Sequence, residues 1–195
     1  MVTFSAILRR CFCNVCAFKA DSALPESRQT PLHVSVEADK VDVAELLILS
    51  GASVKSMTHP NVDTPLHLVK SVQMAELLLD CGASLTAQNA WLQTPLHCAC
   101  KGGDAELVKC MVSFGADLDS KDQQGRTSLH CCAAGNAATA AACLVDAGCD
   151  TDVLDSEGLS ALQLAELMAF NDVVKAISAR QRPPLQPQPV FSAEK

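Results

Sequence analysis

The chain has 195 residues, enough for one domain or one continuous array, and a formal net charge of −7 from 22 Asp and Glu against 15 Lys and Arg. Basic clusters are confined to Arg9-Arg10 and Arg180–Arg182, which argues against nucleic acid as a partner, because phosphate binding needs grouped Lys and Arg. No stretch reaches the roughly 18 uninterrupted apolar residues of a membrane span, and 11 cysteines without an evident secretion signal point to a reducing compartment, cytoplasmic or nuclear.

Residues 1–24 come first. Phe4, Ile7, Leu8, Cys11, Phe12, Val15 and Cys16 recur at helical spacing and make one apolar stripe. The spacing predicts an amphipathic helix, read as a half-repeat that caps the residues after it. Two other readings stay open. The absence of acidic residues before Asp21, with Arg9, Arg10 and Lys19, suits an organelle transit peptide. Cys11, Cys13 and Cys16 beside the arginine pair suit S-acylation, which would attach the chain to a membrane. As metal ligands these cysteines do not all converge on one ion from a helix, and no fourth ligand lies nearby. Neither a metal nor any other cofactor is expected.

Residues 25–180 are organised by one phrase. Thr-Pro-Leu-His occurs at Thr30–His33, Thr64–His67 and Thr94–His97, and worn copies stand at Thr127-Ser128-Leu129-His130 and Ser160-Ala161-Leu162-Gln163. Units therefore start near residues 30, 64, 94, 127 and 160, a period of about 33 that marks a stacked repeat array. Each phrase predicts a helix start. Thr is a good N-cap, Pro suits the first helical position, and His at the third can reach back to the cap. Ser160 and Gln163 have the form of a capping box. A structural capping role thus falls to Thr30, His33, Thr64, His67, Thr94, His97, Thr127, His130, Ser160 and Gln163. Gly51, Gly82, Gly115 and Gly148 come after the second apolar stretch of each unit and suit left-handed helix ends. Asp122–Gly125 and Asp155–Gly158 signal tight turns.

The rhythm breaks in three places. One extra residue precedes Thr64, near His59–Val62, and three are missing between His67 and Leu77. Three residues are close to one helical turn, so the loss shortens a first helix while keeping Met74, Leu77 and Leu78 toward the core. It reads either as neutral drift or as a notch in the concave face that a partner fills. The fourth unit has a small-residue second helix (Ala137, Ala138, Ala140, Ala141 and Ala142), which favours helix but buries little area. The fifth stops near Arg180 without its glycine, as a terminal capping repeat would. Residues 181–195 form a Pro/Gln-rich tail predicted to be disordered. Its one PxxP, Pro184–Pro187, lacks a basic residue at a usual flanking offset.

Thr-Pro-Leu-His at this period resembles the ankyrin repeat, whose signature is Thr-Pro-Leu-His-x-Ala, and the third unit, Thr94–Arg126, matches it best. The resemblance implies an all-α solenoid of stacked helix-turn-helix units with protruding β-turn or hairpin loops. Cys98 and Cys131, and likewise Cys110 and Cys143, then hold equal positions in adjacent units. They lie about 10 Å apart in this family, beyond the roughly 7 Å that a disulfide spans, and are expected to be buried thiols.

Four of the five histidines belong to the capping phrase, and His59 lies in a loop beside Pro60. No nucleophile elbow, phosphate loop or zinc-ligand spacing occurs, so no enzyme activity is expected. The resemblance implies a non-catalytic protein–protein interaction module, an adaptor, scaffold or inhibitor, monomeric, that meets another protein through its concave face and loop tips. Carried over by position, the contact residues are Ala90, Trp91, Gln93 and Lys101 in the third unit, Gln123, Gln124 and Arg126 in the fourth, and Ser156, Glu157 and Leu159 in the fifth. The first unit adds Glu26, Ser27 and Glu37. Trp91, the only tryptophan, sits in a turn that needs no large apolar residue. It is either a contact residue or a lid folded back over the gap left by the short second unit. Two alternatives stand beside the main reading. One is a targeting or substrate-recognition subunit attached through a terminus to a membrane or to machinery such as a ubiquitin ligase, although the tail is too short and proline-broken for a suppressor-of-cytokine-signalling box. The other is a protein like the cyclin-dependent-kinase inhibitors. These share few repeats, acidic character and an abbreviated first helix in the second repeat, but they differ from this chain in its full phrases and its missing residues.

Overall fold

A computed structural model describes residues 28–179. The first unit consists of α1 (Pro31–Glu37) and α2 (Val41–Leu49). The second has a single 3-10 turn (Pro65–Leu68) and then α3 (Val72–Asp80), and the third has α4 (Pro95–Gly102) and α5 (Ala105–Ser113). Helices α6 (Ser128–Ala134) and α7 (Ala138–Asp146) make the fourth, and α8 (Ala161–Leu167) and α9 (Asn171–Ser178) the fifth. First helices pack on first helices of the neighbouring unit and second on second, with one continuous core between the two layers. Among the described residues there is no strand, only an isolated antiparallel bridge between Leu154 and Ser160. The amphipathic segment 1–24, the Cys11, Cys13 and Cys16 readings, Glu26, Ser27 and the tail 181–195 lie outside the described residues.

The repeated phrase builds each helix start. Thr30, Thr64, Thr94 and Thr127 are extended and form reciprocal capping boxes with His33, His67, His97 and His130. Ser160 does the same with Gln163, whose Oε1 accepts the Ser160 N–H at 2.9 Å. The histidines add a bond that Gln163 lacks. Each Nδ1 accepts the backbone N–H of its own Thr at 3.1–3.2 Å, so the ring proton sits on Nε2. Nε2 then donates to a carbonyl of the next loop: Asp63 at 3.2 Å, Gln93 at 2.9 Å, Arg126 at 3.2 Å and Leu159 at 3.2 Å. One imidazole both starts a helix and ties its unit to the next.

Gly51, Gly82, Gly115 and Gly148 come after the second helices with φ of 97°, 85°, 86° and 89°, a left-handed conformation that glycine adopts without a Cβ clash. The extra residue before Thr64 is absorbed in a loop tip. The Thr58 N–H reaches the Asp63 carbonyl, one residue further than the pairings Asn89–Gln93, Asp122–Arg126 and Asp155–Leu159. The three missing residues cost the second unit its first α-helix. Ser71 then caps α3 by accepting the Met74 N–H, and Met74 and Leu78 are fully buried while Leu77 is half-buried. The shortening opens a notch of about 650 Å³ lined by Val34, Glu37, Leu68, Lys70, Cys98 and Gly102. Of the four cysteines at equal positions in adjacent units, Cys110 and Cys131 are buried and Cys98 and Cys143 half-buried, and none of the four is in a disulfide.

In the fourth unit Ser128 stands where the first three units carry Pro, at the first helical position, and its buried hydroxyl has no hydrogen-bond partner. Thr127 is already extended, as a residue before proline must be. Ser128→Pro should therefore stabilise the protein by roughly 1 kcal/mol, by removing an unsatisfied buried group and restricting the unfolded chain. Urea unfolding of the variant checks this, and a lower midpoint would contradict it.

Candidate partner-binding groove

The loop tips are held by short polar side chains. Asn89 Oδ1 accepts the N–H groups of Trp91 and Gln93, both at 3.0 Å. Asp122 Oδ1 accepts those of Gln124 and Arg126, both at 2.9 Å, and Asp155 Oδ1 those of Glu157 at 2.9 Å and Leu159 at 3.0 Å. Neighbouring tips are tied by backbone bonds from Ala90 to Asn61, Gln123 to Trp91 and Ser156 to Gln124, at 2.8–2.9 Å. Two residues before each cap the backbone is left-handed. Gly125 (φ 71°) and Gly158 (φ 79°) take this easily, but Val62 (φ 61°) and Leu92 (φ 58°) hold the same conformation with a Cβ in the way. The strain at Leu92 sits beside Trp91, and such strain clusters at binding sites.

Trp91, Gln93, Lys101, Gln123, Gln124 and Arg126, with Asp122, line one groove of about 250 Å³. It runs into a second of about 320 Å³ that shares Gln93, Lys101 and Arg126 and extends to Cys131, Ala134 and Gly135. Six of the seven contact residues expected from the third and fourth units thus come together, and Ala90 does not line the groove. Trp91 is 46% exposed and does not line the notch of the second unit, so it is not a lid over that gap. Glu157 and Leu159 stay in the next loop, outside the groove. Leu159 is engaged through its backbone, its N–H on Asp155 and its carbonyl on His130. Glu37 lines the notch, and its carbonyl accepts Lys70 Nζ at 2.9 Å.

The groove's charges are arranged unequally. The Asp122 side chain is 1% exposed, and its Oδ2 accepts from Arg126 Nε and Nη2 at 3.3 Å each. The anion therefore faces inward. The guanidinium is 28% exposed, and Lys101 is exposed with no ion pair among the described residues. Two cations face the groove of an acidic protein. Burial pushes the Cys131 thiol up to about 12, so the groove wall holds no thiolate nucleophile. Among the described residues no cluster of His, Cys, Asp or Glu could hold a metal ion, and no helix is long and apolar enough to cross a membrane.

A stack of helix pairs with a ribbon of tied loop tips and a polar groove defines a repeat solenoid whose working part is a surface. A family model described as ankyrin repeats (three copies) matches residues 67–155 and 96–183, and a single ankyrin-repeat model matches 27–59. The chain belongs to the ankyrin-repeat family, and it is a protein–protein interaction module of that kind. It is 32% identical over 99 residues to Rabankyrin-5 of Mus musculus and of Homo sapiens, covering 44% of this chain and 8% of theirs. It is 33% identical over 79 residues to Alpha-latrotoxin-Lg1a of Latrodectus geometricus, covering 38% of this chain and 6% of that protein. The chain thus spans less than a tenth of the length of these relatives.

Proposed function

We propose that the chain is a non-catalytic adaptor that holds an extended, carboxylate-bearing segment of a partner protein in the groove between Trp91 and Arg126. The observation that carries this reading is the convergence of an exposed indole with two outward-facing cations, Lys101 and Arg126, while the one groove carboxylate is buried. The indole supplies rigid apolar area, the three glutamines supply adaptable hydrogen bonds to a peptide backbone, and the cations select an acidic segment over a basic one. Because Trp91 is held by Asn89 and by the bond from Gln123 to its carbonyl, little ordering entropy is lost when a partner docks.

The test is affinity purification with the wild type and Trp91→Ala in parallel, and then dissociation constants for the partner recovered. Trp91→Ala should weaken binding by about 2 kcal/mol, some 30-fold, and leave the unfolding midpoint nearly unchanged. Lys101→Glu should weaken it too, and added salt should weaken the wild-type complex. A large fall in melting temperature with unchanged affinity would overturn the assignment of Trp91.

A further inference from the structure

The first unit exposes a face that every later unit buries. Counted from the cap, and allowing for the three residues missing from the second unit, Pro31, Val43 and Leu47 correspond to Pro65, Met74 and Leu78 in the second unit and to Pro95, Leu107 and Met111 in the third. In the fourth they correspond to Ser128, Ala140 and Leu144, and in the fifth to Ala161, Val173 and Ile177. All of these later residues are buried, because the preceding unit packs on them. Val43 is instead 47% exposed, and Pro31 and Leu47 are half-buried. With Gln29, Val34 and Ala38 they line an apolar groove of about 560 Å³ at the open end of the stack.

We propose that residues 1–24 of this same chain cover that face as a half-unit, one amphipathic helix laid along α2. The length and course of the chain select this occupant. The described chain begins at Arg28, and Gln29 already lines the groove, so the preceding residues emerge at its lip. As a helix the stripe from Phe4 to Cys16 would be about 19 Å long, against about 14 Å for the nine residues of α2, enough to span the whole face. The residues between Cys16 and Arg28 are enough to reverse direction. Arg9 and Arg10 lie off the stripe, and α2 carries exposed Asp42 and Glu45, while Lys40 is the one charged residue among the described residues that lines the groove.

The test uses cysteines already present in the full chain. Two residues apart on a helix, Cys11 lies in the stripe and Cys13 on the opposite side. Maleimide labelling of the native protein, read by mass spectrometry at each cysteine, should show Cys13 reacting as a free thiol and Cys11 at least tenfold more slowly. Val43→Asp should bring Cys11 close to the Cys13 rate, and the milder Val43→Thr should bring it part of the way with the array fully folded by circular dichroism. Equal rates at Cys11 and Cys13 in the wild type would overturn the proposal. So would protection of Cys11 that is indifferent to Val43, which places the segment elsewhere. Protection that vanishes on dilution together with a dimer in size-exclusion chromatography would assign the face to a second copy of the chain instead.

Discussion

Acidification below pH 6.5 is expected to unfold the array steeply, through the four capping histidines. Burial holds His33, His67, His97 and His130 below the ordinary value of 6.5, against the opposing pull of the carbonyls they bond. Geometry gives the same direction. Each Nδ1 accepts a backbone N–H, and a protonated ring would present a second donor there, breaking the cap. The unfolded chain takes up protons near pH 6.5 while the folded chain refuses them. Stability is therefore complete above 6.5 and is lost as pH falls toward the lowered folded values. Each histidine contributes a slope of up to about 1.4 kcal/mol per pH unit, and four together about 5, a large part of an ordinary domain's stability. Urea unfolding between pH 7.5 and 5 measures this, and a free energy flat across that range would refute it. His97→Gln should reduce the slope by about a quarter while keeping the cap, as Gln163 keeps it in the fifth unit.

Leu144→Ala is the substitution expected to cost most, about 3–5 kcal/mol by chemical denaturation. Helix α7 buries Ala140, Ala141 and Leu144, so one side chain supplies most of its apolar area. The alanines around it have nothing to move into the space left behind, which keeps the cost in the upper part of the range for leucine truncations. Because α7 packs on both α5 and α9, the loss weakens two interfaces at once. A cost below about 1.5 kcal/mol would show that the helices close over the cavity.

The fold class is legible because each unit repeats its own instructions. A cap, a proline and a glycine stop recur at fixed distances, and five copies average out the worn ones. The shortened second unit is legible as arithmetic, since a loss of three residues is nearly one helical turn. Two features are not legible. The Nε2 bond of each histidine goes to a backbone carbonyl some 26 to 30 residues away, and any residue type supplies a carbonyl. The inward turn of Asp122 depends on Oδ1 receiving two loop N–H groups and Oδ2 a guanidinium, a geometry that spacing alone does not disclose. The signal available in the sequence is Asp122 four residues before Arg126, which suits a side-chain pair. Trp91 as a lid is a sound alternative from sequence, and it fails because Trp91 lines the groove with Gln123, Gln124 and Arg126 and not the notch of the second unit.

The single 3-10 turn of the second unit also governs how the array comes apart. In a one-dimensional stack, stability is shared between units and the interfaces that join them. Where the first helix is missing, the concave layer is joined by four residues, Pro65–Leu68, instead of a full helix. That junction is a fault line. The three units beyond it, which hold the candidate groove, are expected to keep their packing while the first two fray. The candidate groove would thereby be insulated from unfolding that starts at the amino-terminal units.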